Sequence, residues 1–169
     1  MFQGWTNFYL LIGGASGSLI GLLFIVATLS AGREREQTMQ GTAIYTTPTV
    51  VMLTAVLALS GVAMAPAFSV GFVGTLLIAV GATGLIYGAW IVRRIRRWNL
   101  GEAPHWTDVW CYAAAPMALY AALAGAGALV WQDLPAAAPA CAAVLLLMLL
   151  MAIRNAWDLV TWLAPKAQR

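Results

Sequence analysis

The chain has 169 residues, 62% of them hydrophobic and only 9% charged, with a formal net charge of +3. A soluble domain normally carries about a quarter charged residues, so this composition leaves no room for one beside a membrane domain. The small positive excess sits between apolar stretches, where it reports topology, and gives no argument for nucleic-acid binding.

Five apolar stretches follow one another, at about residues 5–30, 42–65, 67–92, 108–131 and 134–163. Each holds the roughly 18–20 apolar residues that a helix needs to cross a hydrocarbon core of about 30 Å. They are continuously apolar instead of alternating with period two, which favours helices over a barrel. A helix also satisfies its own backbone in lipid, as an isolated strand cannot. The expected fold class is all-α: an integral membrane five-helix transmembrane bundle, with residues 1–169 forming a single transmembrane domain.

No Lys or Arg precedes Trp5, and the first apolar run is longer than a signal-peptide core, so this span is expected to stay in the mature protein. Within it Gly13, Gly17 and Gly21 repeat every four residues, with Gly14, Ser16 and Ser18 beside them. That interval keeps the glycines on one helix face and lets another backbone approach closely. Packing inside the bundle, a subunit interface and a narrow pore wall are all consistent with the pattern. Residues 14–17 spell GASG, which resembles the nucleophile motif of rhomboid intramembrane proteases. That chemistry needs a histidine base in hydrogen-bond reach of the serine. The single histidine, His105, belongs to a loop, whereas Ser16 falls near mid-membrane, so the geometry is expected to fail.

The first connection, residues 32–37, is solvated and of mixed charge; Gly32 can cap the first helix and Thr42 the second. On the second span Thr42, Thr46, Thr49 and Ser60 share a face with Pro48 among them. Their hydroxyls either bond back to a proline-loosened backbone or line a hydrated path. A short turn around Pro66 predicts a tight antiparallel hairpin of spans two and three. The third span carries Gly74, Gly81, Gly84 and Gly88, a sparser small-residue face, and the loop after it opens with a basic run, Arg93, Arg94, Arg96 and Arg97. This run reads as an anionic-lipid contact, either as a general topology anchor or as a specific lipid site.

His105, alone in the third loop, cannot supply two axial ligands to a membrane haem, and no Cys/His cluster suggests zinc or iron–sulfur. No catalytic residue, cofactor site or metal site is expected. On the fourth span Ala118, Ala122 and Ala126 stand in register. Cys111 and Cys141 fall at depths that differ by about 20 Å, far outside disulfide reach. Asp133 ahead of Pro135 reads as an N-cap for the fifth span. That span ends in the densest polar group of any: Arg154, Asn155 and Asp158. Arg154 and Asp158 are four apart and can pair along the helix. The group is either a snorkelling anchor at the inner interface or a gate or docking site for another subunit.

Orientation follows from the loops. One side receives Arg33, Arg35, the Arg93–Arg97 run, Lys166 and Arg169; the other receives no Lys or Arg. Positive loops stay cytoplasmic, so the N-terminus is expected outside and the C-terminus inside the bacterial cytoplasmic (inner) membrane. Trp5 and Trp131 mark the outer boundary, and the other six of the eight tryptophans crowd the inner one, as an aromatic belt or as the wall of a ligand pocket. Ionisable residues are missing between the interfaces, which argues against proton- or ion-coupled transport but not against a passive pore.

Length, five spans and eight tryptophans are similar to the translocator proteins, also called tryptophan-rich sensory proteins. The resemblance is architectural: the long first loop of that family is replaced here by residues 33–37, and its porphyrin and sterol binding carries over to no residue. The runs "GGASGSLIGLLFIVATLS" and "IRNAWDLV" resemble the first and last spans of small bacterial membrane proteins without assigned function. The resemblance implies no activity. The expectation is a non-enzymatic polytopic inner-membrane protein that self-associates as a homo-oligomer, with a passive permeation path as one arrangement. The alternatives are a binding module for a hydrophobic small molecule and an accessory subunit with a protein partner. Membrane lipids are expected partners throughout.

Overall fold

The computed structural model describes residues 2–30, 36–98 and 110–163, and these are helical apart from short turns. After a 3-10 turn at Gln3–Trp5 come α1 (Thr6–Ser30), α2 (Glu36–Met64), α3 (Val70–Trp98), α4 (Ala115–Trp131) and α5 (Ala137–Leu163); a π-helical turn, Trp110–Ala114, leads into α4. Among the described residues, five helical stretches are long and apolar enough to cross a membrane: Thr6–Thr28, Thr46–Met64, Val70–Arg93, Trp110–Trp131 and Ala137–Thr161.

Three boundaries differ from the sequence reading, each for a local reason. Helix α2 already begins at Glu36, so Thr42 lies inside it and not at its N-cap position. Glu36, Gln37, Met39 and Gln40 are good helix formers, and the polar segment continues the helix beyond the apolar span. Helix α3 runs on to Trp98, which makes the arginine run helical and not part of a loop. Asp133 is not an N-cap. It adopts φ 53°, the left-handed region, and closes α4. The Leu134 N–H donates to the Leu129 carbonyl and the Asp133 N–H to the Val130 carbonyl, at 3.1 and 2.9 Å. This is a Schellman closure, with aspartate where glycine is usual, and Pro135 follows as a residue that cannot continue the helix.

Helix α1 lies on α2, α3 lies on α4, and α5 packs against α4, α2 and α1. Although α2 and α3 are joined by a short connection, they share little surface, so the expected hairpin is not the packed unit. Half of the α5 span is buried (50%), against 22% for α1, which makes α5 the central helix. The core around it is filled by Tyr9, Leu53, Val56, Leu123, Leu145 and Met148, all essentially inaccessible. The outward surface is apolar, with Leu11, Phe24, Ile86 and Trp157 among its most exposed side chains. Hydrocarbon, not water, is the solvent such a surface suits.

In lipid, burial of apolar area does not favour helix association, so close van der Waals contact has to. The contact of α3 with α4 is the tightest. Gly74, Gly81 and Gly88 recur every seven residues, an interval that holds a seam between two helices. A Cβ at Gly81 would stand 2.7 Å from the Tyr120 carbonyl oxygen, and one at Gly74 2.9 Å from the Trp131 nitrogen. At Gly84 it would enter the Tyr120 ring, and at Gly88 it would come within 2.6 Å of Met117. From the other side Gly127 is closed off by Leu77 and the Gly74 carbonyl, at 2.8 and 2.9 Å. Of the alanines in register on α4, Ala126 is buried while Ala118 and Ala122 face outward.

Candidate functional site

The site is built where α4 begins, and Pro116 is its cause. Proline has no N–H, and its ring clashes with the carbonyl four residues back, here that of Tyr112. Widening the helix to the π register over Trp110–Ala114 opens that crowded turn. In the π register the donor for the Cys111 carbonyl would be the residue five further on, which is Pro116 itself. Asn155 of α5 supplies it instead: its Nδ2 donates to the Cys111 carbonyl at 3.1 Å.

Asn155 is buried, 3% exposed, and both ends of its amide are used. Its Oδ1 accepts a 3.1 Å bond from Arg154 Nη1. Beside it the Tyr112 hydroxyl donates to Asp158 Oδ2 at 3.0 Å and makes a longer 3.4 Å contact with the Asn155 carbonyl oxygen. Arg154 and Asp158 approach to only 4.0 Å, with side chains 44% and 50% exposed. The guanidinium also stands 5.9 Å from the centre of the Tyr112 ring. The three α5 residues singled out in the sequence are therefore brought together, and two groups that sequence reading missed complete them: Tyr112 and the Cys111 carbonyl. The available signal was a proline inside an apolar span with a tyrosine four residues before it.

Next to this network is a cleft lined by Pro48 and Met52 of α2, Gly84 and Gly88 of α3, and Tyr120 and Asn155. It has about 20 Å³ of room, roughly one water molecule. Drug-sized ligands need cavities of about 300 Å³ or more. Trp157, at 71%, and Trp110, at 59%, are exposed and are not among the residues that line this cleft.

The remaining candidates are dispersed. On α1, Ser16 is fully buried and its hydroxyl donates to the Leu53 carbonyl of α2 at 2.7 Å. A Cβ at Gly13 would come within 3.1 Å of Ser60 Cβ, and one at Gly17 would make ordinary 3.8 Å contact with Leu57. At Gly14 and Gly21 it would meet nothing within 4 Å. Gly14, Ser18 and Gly21 are exposed, on an outward face of α1. On α2, Thr49 and Ser60 are buried inside the bundle, both at 1% exposure. Arg93 is exposed near the end of α3; the side chains of Arg94, Arg96 and Arg97, and all of Gly32, Arg33, Arg35, His105, Trp106, Lys166 and Arg169, lie outside the described residues. Cys111 and Cys141 are free thiols. Among the described residues no group of His, Cys, Asp or Glu is placed to hold a metal ion. The chain matches no protein-family model, no curated protein and no solved structure.

Proposed function

We propose that this chain is a non-enzymatic protein of the bacterial inner membrane, N-terminus outside and C-terminus cytoplasmic, that associates with further copies of itself through α1. One observation carries the reading. Helix α1 is richer in small residues than its packing on α2 uses, and the surplus, Gly14, Ser18 and Gly21, faces outward with open space at both glycines. Ser18 already donates to the Gly14 carbonyl at 3.0 Å, so the face presents no unmet hydroxyl and a flat, shallow surface on which a second helix can lie closely. The charge bias of the loops supports the orientation.

Self-association also bears on permeation. Leu53, Val56, Leu123, Leu145 and Met148 fill the middle of one chain, so a passive path belongs between copies and not inside one. The alternative of a hydrophobic-ligand module draws little support from a cleft the size of one water. Native mass spectrometry from mild detergent tests the reading. Wild type is expected to fly as an oligomer, and Gly14→Leu with Gly21→Leu as a folded monomer, since a Cβ at either position would meet nothing within 4 Å in its own chain. A wild-type monomer, or an oligomer unchanged by both substitutions, contradicts it.

A further inference from the structure

The lipid-facing surface of α5 changes character along its length in the order of a phospholipid. Leu146, Leu147, Leu150 and Ile153 are exposed and apolar; then come Arg154, Trp157 and Asp158, also exposed. The apolar span of α5 runs to Thr161, so Arg154 and Asp158 fall within about its last two turns, where the sequence predicts no ionisable residue between the interfaces. Asp158 is four residues, about 6 Å, nearer that end. A half-exposed charge at such depth is costly unless something meets it.

The pair does not meet this need by itself. At 4.0 Å the two groups are beyond hydrogen-bond distance. Arg154 spends one donor on Asn155, and Asp158 accepts one bond from Tyr112. The order of the charges is also the weaker one for a helix: base before acid at four residues is the poorer pairing, and an acid near the C-terminal end opposes the dipole. Helix stability therefore does not explain the arrangement.

We propose that Arg154 and Asp158 form a binding site for the headgroup of phosphatidylethanolamine. In that lipid the phosphate lies deeper and the ammonium nearer the water. Arg154, the deeper residue, meets the phosphate with its planar fork of donors, and Asp158 meets the ammonium. The acyl chains run along Leu150, Leu147 and Leu146, and Trp157 marks the headgroup level. A primary ammonium donates hydrogen bonds to a carboxylate, which the quaternary choline headgroup cannot do, and the uncharged glycerol of phosphatidylglycerol leaves Asp158 unmatched. Tyr112 and Asn155 are positioning residues that hold the acid and the base from the interior side. The site rests on membrane embedding but not on self-association, so the two readings fail separately.

The test is native mass spectrometry of the full chain after equilibration with equal amounts of phosphatidylethanolamine and phosphatidylglycerol of matched acyl chains. Wild type is expected to retain the ethanolamine lipid by about fivefold over the glycerol lipid, the upper range for a partly exposed ion pair. The double variant Arg154→Asp/Asp158→Arg keeps both charges but inverts their order and should lose the preference. Asp158→Asn, which keeps an acceptor for Tyr112, should bring the ratio close to one if the double variant does not fold. Equal retention by wild type, or a preference that survives both variants, overturns the site. So does a copurifying protein that both variants release while the lipid ratio stays unchanged. The subunit count read in the same spectra reports self-association independently.

Discussion

Two helix pairs in this molecule carry glycines at helical spacing and use them in opposite ways. In the α3–α4 pair Gly74, Gly81, Gly84 and Gly127 are contact points where a single added carbon would strike the partner's backbone or ring. In the α1–α2 pair the more regular motif is only half engaged: Gly13 and Gly17 face α2, while Gly14 and Gly21 face open space. A buried hydrogen bond, Ser16 to the Leu53 carbonyl, joins α1 to α2 beside the glycines. The lesson is that regularity of a small-residue pattern does not measure how tightly it is packed. The neighbour does.

The same substitution should therefore change sign between the two pairs. Gly81→Ala is expected to have the largest effect, a loss of about 2–3 kcal/mol, because its methyl meets the rigid Tyr120 carbonyl and not a yielding side-chain tip. Thermal or denaturant unfolding in detergent micelles checks this. Asn155→Leu should cost about 2 kcal/mol by the same measurement, since it strands the Cys111 carbonyl and removes an acceptor from Arg154. A second signature is faster maleimide labelling of Cys111, now half-buried, with buried Cys141 unchanged.

Ser16→Ala tests the hydrogen-bonded pair. It should cost about 1 kcal/mol, in line with interhelical hydrogen bonds in membranes. A loss as large as that of Gly81→Ala would mean that the two pairs are not held differently. Gly21→Ala is the smallest expected effect and the opposite in sign. With nothing to strike, alanine should raise the stability of the single chain by about 0.5 kcal/mol through helix propensity.

Hydropathy made the five spans legible, because a run such as residues 142–152 has no alternative to burial or lipid. Pairing was not legible. Chain order suggested α2 with α3, whereas the heptad of Gly74, Gly81 and Gly88 finds its complement in Tyr120, Ala124 and Gly127 of α4. A spacing names a face and not what lies opposite. The Arg154–Asn155–Asp158 group was visible as polar letters in an apolar run, but its logic was not. That required the π turn at Pro116, which leaves the Cys111 carbonyl to a side chain from another helix. Asp133 misled because aspartate before proline serves equally well to start a helix or, with φ positive, to end one.

The most direct test of the division between the two pairs is disulfide cross-linking in native membranes, in a background carrying Cys111→Ser and Cys141→Ala. Gly21→Cys on the outward face of α1 should give a cross-linked dimer, while Ile86→Cys, exposed to 71% on α3, should not. Equal cross-linking at the two positions, or none at Gly21→Cys, would contradict self-association through α1.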